Sequence, residues 1–152
     1  MNVFRITKKK YSADISGKGA ELWGGRWNPI GTPALYTSQN RALAVLELLA
    51  HTPKEIVPPN QIILSMEIPR KLETKILTVD NLDDDWDSLK TNDWTQNEGL
   101  RYFKDLNALG IIVPSALIKL ENNLVLNPLH KDFNQIEIIE QFEFEFDERL
   151  FR

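Results

Sequence analysis

Four side chains in this sequence are of types that can act on a substrate: Arg26, Tyr36, Glu47 and Ser115. Arg26 follows Gly24-Gly25 in a Gly-Gly-Arg-Trp-Asn run. Its guanidinium fork suits a phosphate or a carboxylate, and adjacent glycines let backbone N–H groups converge beside it. The competing role is an internal salt bridge, with Glu47 itself among the partners. Glu47 lies inside an apolar helical pattern, sharing a face with Leu43, Ala44, Ala50 and His51. A carboxylate there loses hydration, so it must pair with a cation such as Arg41, take up a proton, or line a cavity. Tyr36 sits on a short strand and is either a half-buried strand residue or a ring facing a ligand. Trp27 divides in the same way between core and stacking platform. Ser115, after Pro114, interrupts an extended run, which is either a plain bend or a kink aimed at something.

Other chemistries lack their residues. His51 and His130 have no metal-ligand spacing, and no metal site is expected. No Ser or Cys nucleophile arrangement, phosphate-binding loop or Gly-x-Gly-x-x-Gly fingerprint is present. Arg, Tyr, Ser and Glu together fit reaction at a ribosyl carbon better than acyl or hydride transfer. Such a bond breaks through an oxocarbenium-like centre that one carboxylate can stabilise, while an arginine holds a diphosphate and an aromatic ring covers the leaving base.

The elements that must hold these groups can be taken in order. Val3–Thr7 alternates like a first strand. Residues 8–23 form an irregular excursion with one short helical turn, and Lys8-Lys9-Lys10 is a solvated loop. Turns at Asn28-Pro29 and Gly31-Thr32-Pro33 lead into an extended Ala34–Thr37. Ser38-Gln39-Asn40 offers N-caps for a helix from Arg41 that ends near Thr52-Pro53. Gln61–Ile68 is a strand. Asn81–Asp87 is a solvated acidic turn or helix start rather than a metal site. Thr95–Leu109 is predicted helical, with Leu100, Phe103, Leu106 and Leu109 on one face and Gly110 as its stop. Ile111–Val113 is a buried strand, Ala116–Ile118 continues extended, and Glu121-Asn122-Asn123 turns back into Leu124–Leu126. Ile136–Phe146 alternates, with Phe142, Phe144 and Phe146 on a dry face that either packs in the core or meets a second copy, which leaves a homodimer open. Strands clump before and after helices, so the fold class is α+β, in one domain over residues 1–152.

A net charge of −4 argues against direct nucleic-acid binding, and no run approaches the roughly 18 apolar residues of a membrane span. Zero cysteines exclude disulfides and thiolate metal sites and suit a reducing compartment. Met1–Arg5 lacks the layout of a secretion signal, so the expected location is the cytoplasm.

The ordered pattern carries more than its parts. Arg5, then Gly24-Gly25-Arg26-Trp27-Asn28, Gly31–Thr37, and Ala42-Leu43-Ala44 with Glu47 and His51 resemble the RES domain, a family named for Arg, Glu and Ser residues. Val113-Pro114-Ser115-Ala116 and Asn123–Pro128 with His130 resemble its C-terminal motifs, and the likeness runs from about residue 3 to 145. The resemblance implies a toxin of a bacterial toxin–antitoxin pair, similar in fold to ADP-ribosyltransferases, with mainly antiparallel β-sheet flanked by helices. It implies NAD+ as substrate, without a metal, either degraded by hydrolysis or phosphorolysis or used to ADP-ribosylate a protein. The implied partner is an Xre-type DNA-binding antitoxin that blocks the cleft. By motif, Arg26 would hold the NAD+ phosphates, Tyr36 would stack near the nicotinamide, Trp27 would be a further cofactor contact, Glu47 would be the catalytic carboxylate, and Ser115 would contact the nicotinamide ribose or its surroundings. Asn127 would be a further ligand contact.

Overall fold

The computed structural model describes residues 1–53, 56–90, 92–105 and 107–151. Its strands are β1 (Asn2–Lys8), β2 (Leu35–Ser38), β3 (Gln61–Glu67), β4 (Lys75–Ile76), β5 (Gly110–Pro114), β6 (Asn122–Leu126) and β7 (Glu137–Phe144); its α-helices are α1 (Lys18–Trp23), α2 (Arg41–Ala50) and α3 (Asp93–Lys104). The strands form one seven-stranded sheet in the order β4-β5-β6-β2-β1-β3-β7. All neighbours are antiparallel except β4 and β5. The class is α+β, as the sequence predicts.

Paired residues in an antiparallel ladder share a face. One face carries Phe4, Ser38, Tyr36, Asn123, Val125, Ile111 and Val113 by register. Its apolar part packs against Trp27, Trp86 and Phe103. The other face buries Val3, Leu35, Leu124, Leu126 and Met66 with Leu109 and Ile136. Helix α2 lies on the first face: the Arg41 guanidinium sits 4.3 Å from the Phe4 ring centroid and donates to Ser65 on β3. Helix α3 reaches that face through Phe103. Between these helices, β2 and β6 are left open as a floor.

Helix α2 starts where the side chain of Asn40 accepts from the Leu43 N–H at 2.8 Å, a cap typically worth about 1 kcal/mol. It stops before Pro53, as expected. Helix α3 corrects the predicted span at its end. Asn107 takes a φ of 45°, Leu109 turns into the core of the opposite face, and Gly110 opens β5 instead of stopping a helix. Leu106 lies outside the described residues.

Four other expectations are corrected. Ala116–Ile118 is not extended, because the Ser115 hydroxyl accepts from the N–H groups of Leu117 and Ile118 and folds the chain into a bend. Asn122 and Asn123 belong to β6 rather than to the turn. The face of Phe142, Phe144 and Phe146 is dry only toward its end: on the edge strand β7 Phe142 is 60% exposed, whereas Phe146, just after the strand, is buried and stacks edge to face with Phe144 and Phe151. The acidic stretch is solvated at Asn81 and Asp83-Asp84-Asp85 but not at Trp86, which is buried against Trp27.

The tightest junction lies between α3 and the Gly-Gly-Arg-Trp turn. A Cβ added at Gly99 would fall 1.8 Å from the Trp27 carbonyl oxygen. Gly99→Ala should therefore push α3 off that turn and destabilise the protein by about 1–3 kcal/mol or more. Urea unfolding of the variant checks this, and an unchanged midpoint would mean that α3 does not rest on the turn.

Candidate active site

Residues Gly25–Asn28 form a tight turn in which the Gly25 N–H donates to the Asn28 carbonyl at 2.9 Å. The fully buried Asn28 amide ties it down by donating to the carbonyls of Ala20 and Thr32, both at 2.8 Å. Its Oδ1 accepts the Tyr36 hydroxyl at 2.7 Å, and that hydroxyl accepts the Trp27 N–H at 2.9 Å. The phenol tip lies so close to the backbone that a Cβ at Gly25 would be 2.5 Å from it. Here glycine is required by contact, not by conformation.

This knot aims Arg26. Its Nη1 and Nη2 donate to the carbonyls of Trp86, at 2.5 Å, and Ser88, at 2.9 Å. Two of five N–H donors are thereby used on neutral acceptors, and among the described residues the positive charge has no carboxylate partner. Asp87, between those carbonyls, instead takes the Lys119 ammonium at 2.5 Å, which holds its carboxyl below the usual range.

Glu47 lies one turn beyond Leu43 and Ala44, which are buried under α2. Its Oε1 accepts from the Ser115 hydroxyl at 2.7 Å and from the Asn123 amide at 2.5 Å. Among the described residues Oε2 has no hydrogen-bond partner and Glu47 makes no ion pair. The expected pairing with Arg41 does not form, because Arg41 reaches across β3 to Glu140 at 3.1 Å.

Arg26, Trp27, Tyr36 and Glu47 line one cavity of about 680 Å³, together with Asn123, Ser38 and His51. That size falls within the range of small-molecule and cofactor sites. Ser115 is fully buried behind it and reaches it only through the Glu47 carboxylate. The Trp27 side chain is 3% exposed and belongs to the core under the cavity, so little of its ring is available for stacking. Asn127 does not line the cavity. Its amide donates to the carbonyls of Phe103 and Ala108, and its Oδ1 accepts from Leu129. The expected ligand contact is thus a structural clamp at the end of β6. His130 is likewise spent locally, accepting from the Asp132 N–H.

Sequence reasoning gave no role to two polar groups at the site. Arg5 lines the cavity, donates to the Tyr36 carbonyl at 3.2 Å, and keeps a buried Nε with no partner among the described residues. Burial lowers its pKa from the ordinary arginine value, against the pull of Asp14. Its place among alternating residues of β1 reads simply as a polar face; only its motif membership singled it out. Asn123 stands out only as the start of the Asn123–Pro128 motif, since its contact with Glu47 depends on β6 passing beneath α2.

Burial pushes the Tyr36 phenol above its ordinary value of about 10, and the Trp27 N–H and the Arg26 charge only partly offset this. A neutral phenol is favoured by folding, so its contribution is full below about pH 10 and is lost as pH rises beyond that. Tyr36→Phe also strands the Asn28 Oδ1 and the Trp27 N–H, so it should cost about 1–3 kcal/mol at neutral pH. The stability gap between wild type and variant should narrow as the pH is raised through about 10 in urea titrations; a gap independent of pH would contradict the burial of the phenol.

Comparison with known proteins agrees with this architecture. The RES domain family profile matches residues 2–147. Toxin Res of Photorhabdus laumondii subsp. laumondii is 38% identical over 152 residues, covering 99% of this chain and 97% of that protein. Prs ADP-ribosylating toxin of Sphingobium sp. is 31% identical over 147 residues, covering 95% of this chain and 91% of that one. In the crystal structure of the M. tuberculosis MbcT-MbcA toxin-antitoxin complex, one chain has the same fold with a TM-score of 0.72 at 22% identity, over 95% of this chain and 84% of its own. The chain described here belongs to the RES domain family.

Proposed function

We propose that this protein is the toxin of a toxin–antitoxin pair and that it breaks the bond between nicotinamide and ribose in NAD+. The observation that carries the reading is the arrangement of charge: the Arg26 guanidinium and the Glu47 carboxylate line the same cavity, and neither is neutralised by the other. A dinucleotide with an anionic diphosphate and a cationic nicotinamide ribose is complementary to that pair.

Arg26 takes the diphosphate with its remaining N–H donors, and Arg5 adds a second guanidinium beside it. The protonated Tyr36 ring lines the same cavity and packs against the nicotinamide end. Glu47 Oε2 accepts a ribose hydroxyl and faces the anomeric carbon. As the C–N bond breaks, its electron pair leaves with nicotinamide, which departs neutral, and positive charge develops on the ribosyl carbon. The carboxylate stabilises that charge because its ionised form is already held by Ser115 and Asn123 and need not reorganise. An acceptor then adds to the carbon and loses its proton. Water gives ADP-ribose, and phosphate gives the phosphorolysis product.

One relative bears the name ADP-ribosylating toxin, which favours a second outcome at the same carbon, transfer to a protein side chain. Labelled NAD+ in a cell extract separates the outcomes, because transfer leaves the label on a macromolecule. A non-catalytic module would bind NAD+ without releasing nicotinamide. The partner on this reading is an Xre-type DNA-binding antitoxin that closes the cavity. Leu89 is fully exposed on the cavity rim and Leu117 is 44% exposed, with Trp23 at 83% beside the lining residue Gly24. Apolar groups of that kind at a mouth fit a covering protein. Such a protein works in the cytoplasm, as one domain, and a pairing of two copies is compatible with it.

Purified protein should release nicotinamide from NAD+. Glu47→Gln keeps an oxygen to accept from Ser115 and Asn123 while removing the charge, so the variant should stay folded and lose at least about 100-fold in rate. An unchanged rate would remove Glu47 from the reaction.

A further inference from the structure

The carboxylate of Glu47 is held by more than the serine that gives the family part of its name. Asn123 donates to Oε1 at 2.5 Å, and its own Oδ1 accepts the Ser38 hydroxyl at 2.6 Å. The direction of this chain is forced by chemistry. An ionised carboxylate only accepts, so Asn123 must turn its NH2 group to Glu47 and its carbonyl oxygen to Ser38. Ser38 must then be the donor, and being 3% exposed it has little water to turn to instead. Ser38 and Asn123 are cross-strand partners in the β2–β6 ladder, so their spacing is set by backbone register rather than by flexible side chains. Ser115 approaches the same Oε1 from the end of β5. Both donors act on one oxygen, and the other is left for the cavity.

From this geometry we infer that Asn123, backed by Ser38, is a positioning residue that fixes the rotation of the Glu47 carboxylate and presents Oε2 alone to the substrate. The inference rests on the reading of Glu47 as the group that meets the ribosyl carbon. Its physical basis is separable, however, because the Asn123–Glu47 contact holds the carboxylate whether or not NAD+ is the substrate. An amide at that place stabilises the anion; a second carboxylate there would oppose it and force the two groups to share a proton. Neither neighbour of Glu47 Oε1 is charged. His51, one helical turn on and also lining the cavity, is the titratable group on the same face of α2. The other titratable groups lining the cavity are Arg5, Arg26, Tyr36 and Asp87.

Asn123→Asp is the near-isosteric test. Carboxyl carbon NMR with labelled glutamate, the Glu47 signal being assigned by its loss in Glu47→Gln, should show Glu47 titrating at least about one pH unit higher than in wild type. The acidic limb of the pH profile for nicotinamide release should move up with it, and kcat near neutrality should fall more than KM changes. Asn123→Ala, which removes the donor without adding charge, should lower kcat about 10-fold or more with little change in KM. A Glu47 titration that is the same in wild type and Asn123→Asp would overturn the inference, as would wild-type kcat in Asn123→Ala. If the titration moves but the wild-type protein releases no nicotinamide, the placement of Glu47 by Asn123 stands and the NAD+ reading falls.

Discussion

The site depends on fixing two opposite charges without letting either neutralise the other. Arg26 is gripped by the carbonyl groups of Trp86 and Ser88, and Glu47 by the hydroxyl of Ser115 and the amide of Asn123. All four partners are dipoles. A carboxylate partner for Arg26, or a cation on Glu47, would hold geometry equally well but would quench the field across the cavity. Neutral clamps hold the geometry and leave the charge in place. Two nearby full charges are diverted elsewhere: Arg41 to Glu140, and Asp87 to Lys119.

Uncharged clamps demand positional accuracy, and the rest of the fold supplies it. On the cationic side, one buried asparagine organises a whole loop. Asn28 spends its amide on the carbonyls of Ala20 and Thr32 and its oxygen on the Tyr36 phenol, so α1, the turn and β2 move as one body. Helix α3 never touches the cavity, yet Gly99 lets it lie against the Trp27 carbonyl and brace the turn from behind. On the anionic side, Asn40 caps α2 and donates to Glu121, which ties the start of the helix to the β5–β6 connection that carries Ser115. Both walls are therefore built on the same open stretch of β2 and β6.

This arrangement gives separate meaning to residues that a motif lists together. Arg26, Tyr36 and Glu47 face the cavity. Ser115 acts one bond behind it, as a donor to the carboxylate. Trp27 contributes its N–H to the phenol while its ring fills the core against Trp86. Asn127, at the far end of β6, keeps the chain after α3 in register by capping the carbonyls of Phe103 and Ala108.

The sequence by itself determined what local interactions decide. Alternation placed β1, the Gln61–Ile68 run placed β3, the cap and the proline bounded α2, and the clumping of strands made the class α+β. The ordered Gly-Gly-Arg-Trp-Asn and glutamate-helix pattern brought out the family and the candidate groups. It did not distinguish a buried tryptophan from a solvated acidic turn at Trp86, or a core face from an edge strand at Phe142, because burial depends on neighbours far along the chain. It placed Leu109 on the helix with Phe103, whereas the chain takes a left-handed turn at Asn107 and sends the two to opposite faces of the sheet. Only the tertiary structure decided that Glu47 pairs with neutral donors and not with Arg41: six residues along a helix put the two on different sides of it, while the chain crossing beneath brings Ser115 and Asn123 to the carboxylate. Asn123 and Ser38 are 85 positions apart and meet through strand register, which no local pattern encodes.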